Sequence, residues 1–130
     1  MPVERREELL FIDIIERCDA IAEAVGKLTA DELAADELRR SAALWSLTII
    51  GEAANRMPPE VTTRHPEIPW SDVVANRNVL VHTYESVSPA LLHHSLTVRV
   101  PELRQSILDI LEREYPLAAR ALAEHEEEDR

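Results

Sequence analysis

The stretch "RNVLVHTY", Arg77 to Tyr84, sets an arginine, an asparagine, a histidine and a tyrosine among valines and leucines. Read as a helix, it puts Arg77 on the same side as Val73, Val74, Leu80 and Val81, the apolar side. Asn78 and His82 are four residues apart and fall on one edge of that side. A guanidinium on an apolar face must be paired, must snorkel, or must face a cleft. Glu52, on an apolar helix upstream, is a candidate partner and supporting residue. The other reading is a polar site opening onto a bundle or subunit interface. Such a site has a coherent chemistry. Arg77 can hold a phosphate through paired hydrogen bonds and stabilise an anionic phosphorane. His82 titrates near neutrality and can move a proton to or from a ribose 2′-hydroxyl or a leaving oxygen. Asn78 can orient either group. RNA cleavage of this kind needs no metal, because the 2′-hydroxyl is an internal nucleophile. No carboxylate cluster here suggests a magnesium site, and no cofactor motif is found.

The elements that must position these residues are helical. Ala, Leu, Glu and Arg are abundant, and the 130 residues include only two glycines. Leu10, Ile14, Cys18, Ile21, Val25 and Leu28 form one stripe, predicting a first helix from about Glu4 to Leu28. Gly26 is a stop signal, and Thr29 or Asp31 can cap the next helix. Leu38, Ala42, Trp45, Ile49 and Ala53 form the stripe of a second long helix spanning about Asp31 or Asp36 to Arg56, and Leu44, Leu47 and Ala54 widen it. Gly51, within it, suggests close approach of another group. "MPPEVTTRHPEIPW" holds four of the eight prolines and reads as a loop with one short helical turn. A third helix starts near Pro69 and reaches about His82. Ser88 followed by Pro89 restarts the chain as a cap and first helical residue. Leu92, Leu96, Leu103, Ile107 and Ile110 continue the apolar pattern, and Pro101 should kink or divide that helix. The fold expected is all-α, one antiparallel helical bundle of about four to five helices over residues 1–130. Residues 118–130 read as a charged, frayed tail.

The net charge of −11 opposes a broad nucleic-acid surface. Its distribution is uneven. Residues 1–54 carry 6 basic and 12 acidic groups, 55–104 carry 5 and 5, and 105–130 carry 3 and 8. The neutral middle contains the motif and four of the five histidines. The lone Cys18 lies on an apolar face and reads as a buried thiol; it excludes an intramolecular disulfide. "LLFIDII" is too short for a membrane span, so a cytoplasmic protein is expected. His93 and His94 are adjacent and point apart on a helix, which suits surface positions better than a shared metal. His65 reads as a loop residue, His125 as solvated, and Arg99 as an ion-pair partner. Trp45 and Trp70 read as core or dimer-interface residues.

The pattern R-x4-H-x-Y, filled by Arg77, His82 and Tyr84, resembles the motif of the HEPN superfamily and, within it, the HepT-like toxins. "IIGEAANRMPPE", "RHPEIPWSDVVANRN" and "YESV" resemble the family's flanking segments in the same order. The resemblance covers roughly residues 38–111, and the first helix loosely. It implies a homodimer, or a higher oligomer, with Arg77 and His82 of both subunits lining one cleft. It also implies a metal-independent ribonuclease, the toxin of a toxin–antitoxin pair. The implied antitoxin partner is a nucleotidyltransferase that attaches AMP to Tyr84. Some HEPN relatives are instead non-catalytic partners of nucleotidyltransferases, the alternative implied here. Three positions depart from the family habit: Asn76 and Thr83 replace frequent glycines, and Glu85 replaces a frequent aromatic. Glu85 places a negative charge beside the proposed phosphate site.

Overall fold

A computed structural model describes residues 3–75 and 87–128, with side chains from Glu7 onward. No strand occurs among the described residues. The first helix, α1 (Val3–Val25), is stopped by Gly26, whose φ of +52° is the left-handed conformation that glycine adopts most readily. Its amide still donates to the Ala22 carbonyl at 2.9 Å. Leu10, Ile14, Cys18, Ile21 and Val25 are all buried, as their spacing predicts, and Phe11 and Ile15 widen the stripe.

Of the two starts expected for the second long helix, Asp31 and Asp36, the later one holds, and a separate short helix precedes it. α2 (Ala30–Ala35) opens with a capping box. The Thr29 hydroxyl accepts from the Glu32 amide at 3.2 Å, and the Glu32 carboxylate accepts from the Thr29 amide at 2.9 Å. Asp36 ends α2 and caps α3 (Glu37–Asn55), accepting from the Arg39 amide. One short acidic side chain thus turns the chain between helices that share an apolar pattern.

α3 buries Ala53 and the residues expected to widen its stripe, and leaves the other side of that stripe open. Ala43, Leu44, Leu47, Ile50, Gly51 and Ala54 are buried, whereas Leu38 is 82% and Trp45 63% exposed. Trp45 is therefore not a core residue. A helix this apolar offers two stripes, and packing on α1 chooses the one with smaller residues, which allows closer approach.

α4 (Pro59–Arg64) is the short helix within the proline-rich stretch. A loop comes next, and α5 is helical over 70–75. The predicted continuation to His82 lies outside the described residues. α6 (Pro89–His94) begins with Ser88, whose hydroxyl accepts from the Leu91 amide, and with Pro89 in the first turn. A π-helical turn, Ser95–Arg99, joins it to α7 (Val100–Glu114). Pro101 accounts for the interruption, because its ring cannot donate and crowds the carbonyl four residues back. α8 (Pro116–Glu128) extends through the stretch expected to be frayed, and Ala118 and Ala119 are buried.

α1 lies against α3, α7 and the π turn; α2 packs on α6 and α8 on α7. Arg104 fastens three helices, donating to Asp19 of α1 at 2.7 Å and to Glu126 of α8 at 2.6 Å. His93 Nε2 lies 2.8 Å from the Leu28 carbonyl and ties α6 to the α1–α2 turn. The larger number of helices than expected reflects the short α2 before Asp36, the interruption ahead of Pro101 and α8 in the stretch expected to fray. No helix among the described residues is long and apolar enough to cross a membrane.

Candidate functional site

Arg77, Asn78, His82 and Tyr84 lie outside the described residues, as do Asn76, Thr83 and Glu85. The segment that leads into them is described as far as residue 75, and it is held firmly. Trp70, the first helical residue of α5, is half-buried, and its indole N–H donates to the His65 carbonyl at 3.0 Å. Ile68 is buried between these two residues. The loop of residues 65–69 is thus fixed at both ends before the chain turns into α5.

His65 lies in the loop after α4, as expected, but it is not solvated. It is buried, and its ring packs edge-on against Phe11 with centroids 6.3 Å apart. Nδ1 lies 3.2 Å from a Glu67 oxygen, and Nε2 lies 2.8 Å from Glu114 Oε2, close but not aligned as a hydrogen bond. Next to it, Glu7 is only 4% exposed. Its Oε2 accepts from the Tyr115 hydroxyl at 2.6 Å and from Arg64 at 3.2 Å. Arg64 also donates from Nε to Glu114 at 3.2 Å. Burial, then the bond to Glu7, raises the Tyr115 phenol above its ordinary range. These residues stitch α1, α4, the loop and the α7–α8 corner together. Their separations in sequence reach 108 residues, so no local pattern announces them.

A cavity of about 190 Å³ opens between α3, the loop, the first turn of α5, the π turn and α7. Asp72 and Val73 of α5 line it, five and four residues before Arg77 in sequence. Glu52 lies exposed on α3 and is not a core carboxylate. Arg99, expected in an ion pair, is exposed with none among the described residues. His94 is exposed and His93 half-buried. Among the described residues no three His, Cys, Asp or Glu side chains are grouped to hold a metal. Cys18 is buried, and burial, then the charge of Asp19, pushes its thiol up to about 12.

The profile of the family "Ribonuclease HepT-like" matches residues 14–110, from α1 to α7. The chain belongs to the HepT-like ribonuclease family. The match spans α3, the loop and α5 as well as the R-x4-H-x-Y segment, so family membership rests on far more than three motif positions. Among its relatives is "Probable ribonuclease HepT" of Thermococcus cleftensis, 30% identical over 71% of this chain and 84% of that one. "Putative RNase TTE0752" of Caldanaerobacter subterraneus subsp. tengcongensis is 29% identical over 78% of this chain and 90% of that one. "Putative RNase MJ0127" of Methanocaldococcus jannaschii is 28% identical over 85% and 93%. No solved structure matches the chain significantly.

Proposed function

We propose that this HepT-like chain is a metal-independent endoribonuclease acting in the cytoplasm as the toxin of a toxin–antitoxin pair. The observation that carries the reading is the intact Arg77–His82–Tyr84 motif within a sequence that matches the family from α1 to α7. Its relatives' names, which refer to RNases, support it. In this reaction the ribose 2′-oxygen attacks the adjacent phosphorus and the bond to the 5′-oxygen breaks. His82 accepts or supplies the proton that moves between these oxygens. Arg77 neutralises the phosphorane, and Asn78 orients the imidazole or the phosphate. The products are a cyclic phosphate and a free 5′-hydroxyl.

In this proposal the active species is a homodimer in which both subunits contribute Arg77 and His82 to one cleft. The exposed Leu38 and Trp45 on α3 support a self-association face, because large apolar side chains on one stripe favour a covering partner. The antitoxin is a nucleotidyltransferase, and AMP on Tyr84 blocks phosphate binding by bulk and negative charge.

The test is induced expression of wild type, Arg77→Ala and His82→Ala, each confirmed folded and of equal oligomeric state. Growth arrest and RNA cleavage by wild type alone, persisting in EDTA, are expected. Absence of cleavage by wild type whose Tyr84 is unmodified by mass sinks the nuclease reading. A second reading, a non-catalytic partner of a nucleotidyltransferase, then leads. Glu85 and the net charge of −11 favour it, since both oppose RNA binding.

A further inference from the structure

The cavity beside α5 is walled by Leu47, Ile50, Ile68, Val73, Val100 and Leu103. Apolar cavities near 150 Å³ accept a benzene-sized ligand, so about 190 Å³ has room for one aliphatic or aromatic side chain. Ser95 also lines it. This residue is 7% exposed, and its hydroxyl has no hydrogen bond among the described residues. It belongs to the π turn, a distortion that recurs at functional sites.

The mouth of the cavity is acidic. Exposed Glu67, Asp72 and Glu102 line it, together with one guanidinium, Arg99. Through Glu67 and Ser106 it continues into a second, shallower groove that adds Asp109, Glu112 and Arg113. The two together present five carboxylates and two guanidiniums. Arg113 is already engaged, with Nε donating to the Asp109 carbonyl and a terminal nitrogen 4.0 Å from Glu67.

We propose that this cavity and groove dock a basic segment of another protein, with one leucine-sized side chain in the cavity and flanking lysines or arginines on the carboxylates. Charge complementarity selects this occupant. RNA would set its phosphates against the carboxylates. A second copy of this chain would bring a further net −11 to an acidic face. A basic segment gains from both parts of the surface, since the apolar anchor fills the cavity and the cations meet the rim. The inference rests on the cavity and its charges and not on the nuclease reading.

The test uses a fluorescein-labelled Lys-Lys-Leu-Lys-Lys amide and its Lys-Lys-Ser-Lys-Lys counterpart, titrated with the full chain by anisotropy. Leucine should bind about tenfold or more tightly than serine, as burial of one such side chain implies. Glu102→Lys should weaken both peptides several-fold, and Ser106→Trp should abolish the preference for leucine, with each variant's helicity confirmed by circular dichroism. Equal affinities for the two peptides, or no saturable binding below about 1 mM, overturn the proposal. So does unchanged binding in Glu102→Lys, a variant at an exposed position. A labelled single-stranded RNA that competes with the leucine peptide and is itself displaced by Ser106→Trp would assign the surface to RNA instead.

Discussion

Tyr115→Phe removes one oxygen from the buried Glu7 cluster and leaves the ring that packs on Phe11 at 6.1 Å. That oxygen donates to Glu7 Oε2 at 2.6 Å, where the carboxylate is almost inaccessible to water. A hydrogen bond to a charged group contributes about 1.5–3 kcal/mol, so a loss of about 2 kcal/mol is expected. Arg64 cannot make up the difference, because it already bonds to Glu7 and Glu114. Its side chain is 44% exposed, so Arg64→Met should cost less, about 1 kcal/mol or below. The cluster also gives a pH signature. The folded-state phenol is raised, by burial first and then by Glu7. Stability from it is complete below the unfolded tyrosine pKa, near 10, and is lost as pH rises through the folded value. Wild type should therefore lose stability on its alkaline limb, and Tyr115→Phe should lose less. Urea unfolding followed by circular dichroism at pH 7 and at about pH 11 reads both effects. At pH 7 the midpoint should fall by roughly 1 M. A cost below about 0.5 kcal/mol, or an alkaline limb identical to that of wild type, would refute the account of Glu7 as a buried charge dependent on Tyr115.

Other consequences are as direct. Cys18, buried and pushed up to about 12, should resist a thiol-reactive reagent at pH 8 and react fully in urea; labelling of the folded chain would show that the α1 face opens. Thr29→Ala should cost about 1 kcal/mol in chemical denaturation by removing the α2 cap. Glu32, held below the ordinary carboxylate range chiefly by the Thr29 amide, supports that cap above its unfolded pKa. The support should fade as pH falls through the folded value, which a stability profile on the acid side would reveal. Ile50→Ala, at a fully buried position of α3, should cost about 2–5 kcal/mol. Trp45→Glu should leave the far-UV spectrum intact while lowering the sedimentation mass of any dimer; an unchanged mass would remove the α3 stripe from the interface.

The sequence by itself determined the helical class, the stripe of α1, the stop at Gly26, the Ser88–Pro89 start and the apolar series of α6 and α7. Each is a local or single-helix signal, set by side-chain period or by backbone chemistry at one residue. It also displayed the Arg77–His82–Tyr84 motif, because spacing along one chain is all that motif requires. Tertiary structure decided which side of α3 is covered, since Leu38 and Trp45 are as apolar as the residues that packing on α1 buries. It decided that a separate short helix precedes Asp36 and that residues 116–128 form α8. Above all it decided the fate of His65, Arg64, Glu7 and Tyr115. Each looks like an ordinary polar residue in its own segment. Only when the loop before α5 meets α1 and the end of α7 do Glu7 and His65 lose water, and a carboxylate without water must be bonded by whatever donors the fold brings to it, here Tyr115 and Arg64.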